Sequence, residues 1–270
     1  MRVHHLDCAS LCPVGGERVL GAAYLPCHCL LIEGPNGLVL VDTGLGNHDV
    51  AHPIRRLGPG FLALLKPRLD PQQTAAAQLA RLGLSVRDVR DIVLTHLDPD
   101  HAGGIADFPD ARIHLHAPEL EAALHPRGLR ERARYRAAQW SHQPRWTRHS
   151  PGLGPGQGGD RWFGFESVRA LDEKGPEILL VPLLGHTRGH AGVAVRTGDT
   201  WIFHCGDAYF SHGELEDPPR CPPAITAIER YDDVDHRARV NNQTRLRALK
   251  REHGSEIELF CSHDLHELRR

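Results

Sequence analysis

The sequence predicts an α/β (α+β) chain, and three observations carry that prediction. Short runs of β-forming residues alternate with helical stretches along the whole length. Several of those runs end in turns that carry His or Asp beside glycine. The order of β-rich segment, His/Asp turn and helix occurs in both halves, as a repetition of pattern with no evident identity between them.

Taken in order, residues 3–8 read as a short strand and residues 24–33 as a longer one. Gly34-Pro35-Asn36-Gly37 carries hairpin chemistry, since Asn-Gly tolerates positive φ, and residues 38–41 complete the hairpin. Residues 45–70 carry little signal and read as a loop region. A helix is expected over 71–82, with Pro in its first turn and Gly83 past its end. Ser85 is placed to cap a short helix over 86–89. Residues 92–94 and 111–116 read as strands, and 118–124 as the start of a helix. In the second half strands are expected over 162–170, 178–183, 191–196, 200–204 and 257–261. A long polar helix is expected over 233–253, and 217–223 is proline-rich and irregular.

At 270 residues the chain exceeds the usual ~100–200 residues per domain, yet is read as one domain over 1–270. A net charge of −2 argues against a nucleic-acid partner held by bulk electrostatics. The first residues show no apolar signal-peptide core, and no apolar run is long enough to span a membrane, so a cytoplasmic protein without membrane partners is expected. Seven scattered cysteines fit reduced thiols. In Cys27-His28-Cys29 the two thiols share a face of an alternating strand, and core packing is the favoured reading.

The most informative stretch is Leu94-Thr95-His96-Leu97-Asp98-Pro99-Asp100-His101-Ala102-Gly103-Gly104. It puts four metal-competent side chains within six residues after an apolar run, so that a strand fixes them and solvent reaches them. Imidazole and carboxylate together suit Zn, Fe or Mn better than Ca or Mg. Further strand ends offer Asp42, His186, Asp207 and His263. His190 and His204 read as structural, and Asp264 as either an orienting group or a substrate contact.

This order of stations, with these glycine flanks, resembles the metallo-β-lactamase-fold superfamily of metal-dependent hydrolases, which includes glyoxalase II enzymes and acyl-homoserine-lactone lactonases. The resemblance spans about residues 20 to 265. It implies a four-layer αβ/βα sandwich. It also implies two divalent ions, Zn foremost: one held by His96, Asp98 and His186, the other by Asp100, His101 and His263, with Asp207 bridging and Asp42 holding the loops beneath. The family motif is His-x-His-x-Asp-His, and Asp98 stands where its second His would be. A carboxylate there favours Fe or Mn at that site, and on the sequence alone Asp98→His would raise zinc retention.

The activity implied is hydrolysis of a small ester, lactone or thioester by hydroxide held on the metal. Asp207 positions both ions, and Asp100 is the candidate to move the proton to the leaving group. In the lactonase branch a Tyr three residues after the bridging Asp assists the reaction. Here that position is Phe210, and Tyr209 beside it is the catalytic candidate, although neighbouring side chains of an extended segment point oppositely. The alternative activity is that of a mononuclear iron oxidoreductase of the same fold acting on a thiol or persulfide, and a non-catalytic metal-binding protein is a third reading. Residues 125–149 set seven arginines among Tyr135, Trp140 and Trp146. They read as a solvated helix, or as part of a lid over 118–160 that selects an anionic or amphipathic small molecule. The glycine- and proline-rich run 150–160 reads as a hinge. The sequence leaves the oligomeric state open.

Overall fold

The computed structural model describes residues 1–150, 160–171 and 175–269. The strands are β1 (Arg2–Leu11), β2 (Leu25–Gly34), β3 (Gly37–Val41), β4 (Pro67–Arg68), β5 (Val89–Val93), β6 (Arg112–His116) and β7 (Arg145–His149) in the first half, then β8 (Asp160–Trp162), β9 (Phe165–Arg169), β10 (Ile178–Pro182), β11 (Ala191–Thr197), β12 (Thr200–His204) and β13 (Ile257–Phe260). They form a seven-stranded sheet ordered β4-β1-β2-β3-β5-β6-β7 and a six-stranded sheet ordered β13-β12-β11-β10-β9-β8.

Alternation along the strands explains the layers, because successive side chains of a strand face opposite ways. Leu30, Ile32, Val39 and Val41 from one sheet meet Ile178, Leu180, Val193 and Val195 from the other in a shared core. Their neighbours Leu31, Leu38 and Leu40 face outward, packing with Leu79 of helix Ala75–Arg81 and Leu120 of helix Ala117–Leu124. On the far side Leu179, Val181 and Phe203 pack with Leu246 and Leu249 of helix His236–His253. The layers therefore run helix, sheet, sheet, helix.

The site is positioned by strand direction. β3 and β5 are parallel, as are β12 and β13, and β10 runs antiparallel to β11, which runs antiparallel to β12. The C-terminal ends of β10, β12 and β13 thus share one edge of their sheet, as β3 and β5 do in theirs. The backbone joins the two edges, with Ala191 N donating to Thr95 O and His28 N to Ser262 O. The carboxyl edge of a sheet is where α/β folds place ligands.

Three expectations change. Residues 45–70 are not loop alone: they hold short helices Asn47–Ala51, Pro53–Arg56 and Pro59–Leu65, each too brief to show a period. Residues 162–170 are not one strand but the arm of a hairpin, β8–β9, turning at Phe163 and Gly164, which take φ 45° and 82°. Residues 145–149, within the expected lid, are the edge strand β7, parallel to β6. The expected hinge lies outside the described residues for 151–159. Among the described residues no helix is long and apolar enough to cross a membrane.

Candidate metal centre

Asp42 follows β3 with φ 55°, a left-handed turn that aims its carboxylate across to the end of β5. Thr95 donates to it twice, from N at 2.8 Å and from Oγ1 at 2.7 Å. His101 donates from Nδ1 at 2.9 Å. Since Thr95 Oγ1 spends its proton on Asp42, it accepts from His96 Nδ1 at 3.0 Å. His263 Nδ1 donates to the carbonyl of Pro26 at 2.8 Å. Three imidazoles are thereby held with Nδ1 turned outward and the Nε2 lone pair turned inward, the arrangement a metal ligand requires. Pro99 opens a short helix, Pro99–Ala102, so Asp100 and His101 lie on a helical turn rather than an open loop.

The inward atoms form two groups that share Asp207. In the first, His96 Nε2 lies 3.5 Å from Asp98 Oδ2 and 3.8 Å from Asp207 Oδ2. His186 Nε2 lies 3.1 Å from Asp98 Oδ2 and 3.5 Å from Asp207 Oδ2. In the second, His101 Nε2 lies 3.7 Å from Asp100 Oδ2 and 3.3 Å from Asp207 Oδ1. His263 Nε2 lies 3.6 Å from Asp100 Oδ2 and 3.2 Å from Asp207 Oδ2. Four donors at ~2.1 Å from a tetrahedral ion stand about 3.4 Å apart, and the His–Asp distances in both sets lie near that spacing. His96 Nε2, His101 Nε2 and Asp207 Oδ1 are buried and make no hydrogen bond. Buried polar atoms without partners are costly unless something fills the gap. The donors fit divalent cations.

Without an ion, the acids and imidazoles of the cluster pair with one another. Burial opposes ionisation of Asp207, but His263 and His101 hold its carboxyl well below the usual range. Burial likewise opposes a charged His101, yet Asp207 and Asp100 raise its pKa well above that of free imidazole. Burial lowers His96 to about 4, with His101 adding to the effect. Asp100 is pushed up, mainly by burial.

Sequence-predicted residues outside these groups are placed as follows. His190 donates from Nδ1 to Leu183 O and accepts at Nε2 from Asp207 N, so both ring nitrogens are taken in holding the Asp207 backbone. His204 bridges Gly206 N and His28 O. Asp264 caps the helix Leu265–Leu268 and pairs with His212. Tyr209, the catalytic candidate, is not brought to the cluster. Its side chain is buried in the core of the second sheet and its hydroxyl donates to Glu267. Phe210 faces the site instead, with its ring 4.9 Å from that of His263 and 6.2 Å from that of His186. The chain has left β12 by this point and turns, so that Tyr209 packs into the core while Phe210 meets the two imidazoles.

Three further contributors stand here, of which Glu119 escaped the sequence reading and Arg134 belongs to the segment read as a solvated helix or a lid. Cys27, read as core, is buried, and its sulfur also lies within 4.8 Å of donor atoms of Asp100 and His263. Glu119 is fully buried and accepts from Leu97 N, Thr187 Oγ1 and Gly189 N, tying the His96 turn to the His186 turn. Arg134 comes from helix Gly128–Arg134 in the arginine-rich segment, and its Nη1 lies 3.2 Å from Asp98 Oδ2 and 3.2 Å from His186 Nε2. Trp140 and Trp146 do not line the cluster. Both pack against the core beneath the first sheet.

The family model of the metallo-beta-lactamase superfamily matches residues 23–256. The chain belongs to the metallo-β-lactamase superfamily. Within it, the chain is 44% identical over 264 residues to a protein of Mycobacterium tuberculosis named a probable metallo-hydrolase, a match covering 98% of this chain and 80% of that one. An N-acyl homoserine lactonase of Bacillus thuringiensis is 34% identical over 101 residues, covering 37% of this chain and 40% of the lactonase. The solved structure of an N-acyl homoserine lactone hydrolase, with the product N-hexanoyl-L-homoserine at its catalytic metal centre, superposes with a TM-score of 0.67 at 19% identity, over 99% of this chain and 94% of that one. A dizinc quorum-quenching lactonase superposes with a TM-score of 0.58 at 18% identity, over 97% and 85%. At such identities the superpositions establish the shared fold.

Proposed function

We propose that this superfamily member is a metal-dependent hydrolase of a small ester, lactone or thioester, acting as one domain with Arg134 of helix Gly128–Arg134 beside its site. The observation that carries the reading is the meeting, from four strand ends, of seven donor side chains in two adjoining sets joined by Asp207. His96, Asp98, His186 and Asp207 would hold one divalent cation, and Asp100, His101, His263 and Asp207 the other. Zn suits the imidazoles, and Fe or Mn suits the set containing Asp98. When bound, such a pair supplies Lewis acidity and hydroxide at neutral pH.

The protein's own groups do the rest. Asp42 and the Pro26 carbonyl keep His101 and His263 in the tautomer that presents Nε2. Asp100, at the edge of the second donor set, is the carboxylate placed to pass a proton to the leaving group. Phe210 offers an apolar edge beside the cluster, which fits the acyl part of a substrate. Support for the substrate class comes from the relatives named lactonase and from the apolar ring of Phe210 beside His186 and His263.

The test is metal counting joined to a hydrolysis panel. Two ions per chain, with lactone or thioester hydrolysis that chelation abolishes and metal restores, is the expected result. One iron per chain with oxygen consumption in the presence of a thiol would overturn it in favour of the oxidoreductase. Full metal loading without turnover of any ester, lactone or thioester would overturn it in favour of a binding protein.

A further inference from the structure

The first donor set carries two carboxylates, Asp98 and Asp207, with two imidazoles, and it is this set that a guanidinium touches. Arg134 Nη1 sits 3.2 Å from Asp98 Oδ2 and 3.2 Å from His186 Nε2, the two donor atoms that are themselves 3.1 Å apart. Its other end is fixed. Nη2 donates to Asp232 O at 2.6 Å and pairs with Asp232 Oδ1 at 2.6 Å, while Nη1 also reaches His186 O at 3.3 Å. The Arg134 side chain is 10% exposed, so water screens its charge weakly. A buried guanidinium this close to two cation donors would repel an incoming metal unless the set held charge for it to cancel, and Asp98 supplies that charge.

We propose that Arg134 is a positioning residue of the first donor set, matched to Asp98. It holds the carboxylate at coordinating distance and cancels the one negative charge by which a carboxylate exceeds an imidazole. The pair leaves the set with the net charge it would have if residue 98 were His and residue 134 were neutral. This rests on the ligand reading made under Proposed function. It also reverses what the sequence alone suggests for Asp98→His: with Arg134 present, that substitution sets a guanidinium against an imidazole and a metal ion with only the more exposed Asp232 carboxylate left to pair with it.

The experiment is zinc and manganese affinity, measured by competition with a chromophoric chelator, and bound-metal count, on the wild type, Asp98→His, Arg134→Gln and the double variant. Gln keeps hydrogen-bond donors for the Asp232 and His186 carbonyls while removing the charge. Asp98→His is expected to weaken one of the two ions by about tenfold or more, the scale on which groups supporting metal ligands act. Adding Arg134→Gln to it is expected to restore affinity to within about threefold of wild type. Arg134→Gln alone is expected to lower the melting temperature of the metal-free protein more than that of the loaded protein, because the metal takes over the neutralisation of Asp98. A double variant that binds no better than Asp98→His overturns the pairing, as does an equal loss of melting temperature with and without metal, the mark of a merely structural arginine. A wild type that binds no divalent ion at all instead overturns the function proposed above, and this inference with it.

Discussion

Asp42 serves three groups at once: the Thr95 amide, the Thr95 hydroxyl and His101 Nδ1. Through the hydroxyl it also fixes His96, so one carboxylate orients a ligand in each donor set. If the two donor sets each hold an ion as proposed, Asp42→Ala is expected to weaken both, by about 10- to 100-fold, while Asp42→Asn retains part of the affinity; metal titration checks it, and a loss confined to one ion would refute the shared role. Tyr209 and Phe210 make the converse pair. Tyr209→Phe removes a hydroxyl committed to Glu267, so turnover should stay within about twofold while stability falls by about 1 kcal/mol. Phe210→Ala should raise KM for acylated substrates, and a large kcat loss in Tyr209→Phe would return Tyr209 to the site. The residues that meet at the cluster were legible because His and Asp beside glycine at strand ends have few structural uses. Arg134 and Glu119 were not, since each acts across the fold on residues more than 20 positions away and looks locally like any polar helical residue.

At the scale of elements, the two site turns are held together by one helix. Glu119 accepts from the turn after β5 through Leu97 N and from the turn after β10 through Thr187 Oγ1 and Gly189 N, and Tyr135 OH reaches it from the rim segment. The approach is close: a Cβ on Gly189 would lie 2.0 Å from Glu119 N. Glu119→Ala would strand at least two buried amides at about 1–3 kcal/mol each. The expectation is a loss of about 3 kcal/mol or more in urea denaturation, with Glu119→Gln losing less. A loss below about 1 kcal/mol would show that the turns are held by their strands alone. Long strands and helices with clear periods were readable, as over residues 24–33 and 233–253. Helix Pro223–Asp232 was hidden by the prolines before it, and β7 by the arginines within it, because an edge strand at the rim needs no apolar alternation.

Across the described residues several carboxyl groups are buried, and stability should register it. Glu229 and Asp233 share Arg239, each at 2.7 Å, with Glu214 alongside. Burial and then Glu214 push Glu229 up to about 8. Burial pushes Glu267 up to about 7. Both exceed the ordinary value of 4.5, so the folded protein binds more protons than the unfolded chain above that pH. Their contribution is complete below about pH 4.5 and is lost as pH rises through about 7 and then about 8. His101 and His263, raised by their carboxylate neighbours against burial, act in the same direction in metal-free protein, with stability present below 6.5 and lost above their folded pKa. Asp98 and Asp207, held low, have the opposite sign, and their contribution is lost as pH falls through the acid range. His96, His190 and His204, lowered by burial, lose their contribution as pH falls below 6.5, so the alkaline side carries the test: metal-free protein should melt at progressively lower temperatures from about pH 7 toward pH 9. Metal loading should flatten the alkaline fall, because coordination replaces the protons on His101 and His263. Glu229→Gln and Glu267→Gln should each flatten it further without metal. Thermal melts in chelator and in zinc across pH 5–9 decide the matter, and a metal-free melting temperature that rises toward pH 9 would show that these buried groups fold already ionised.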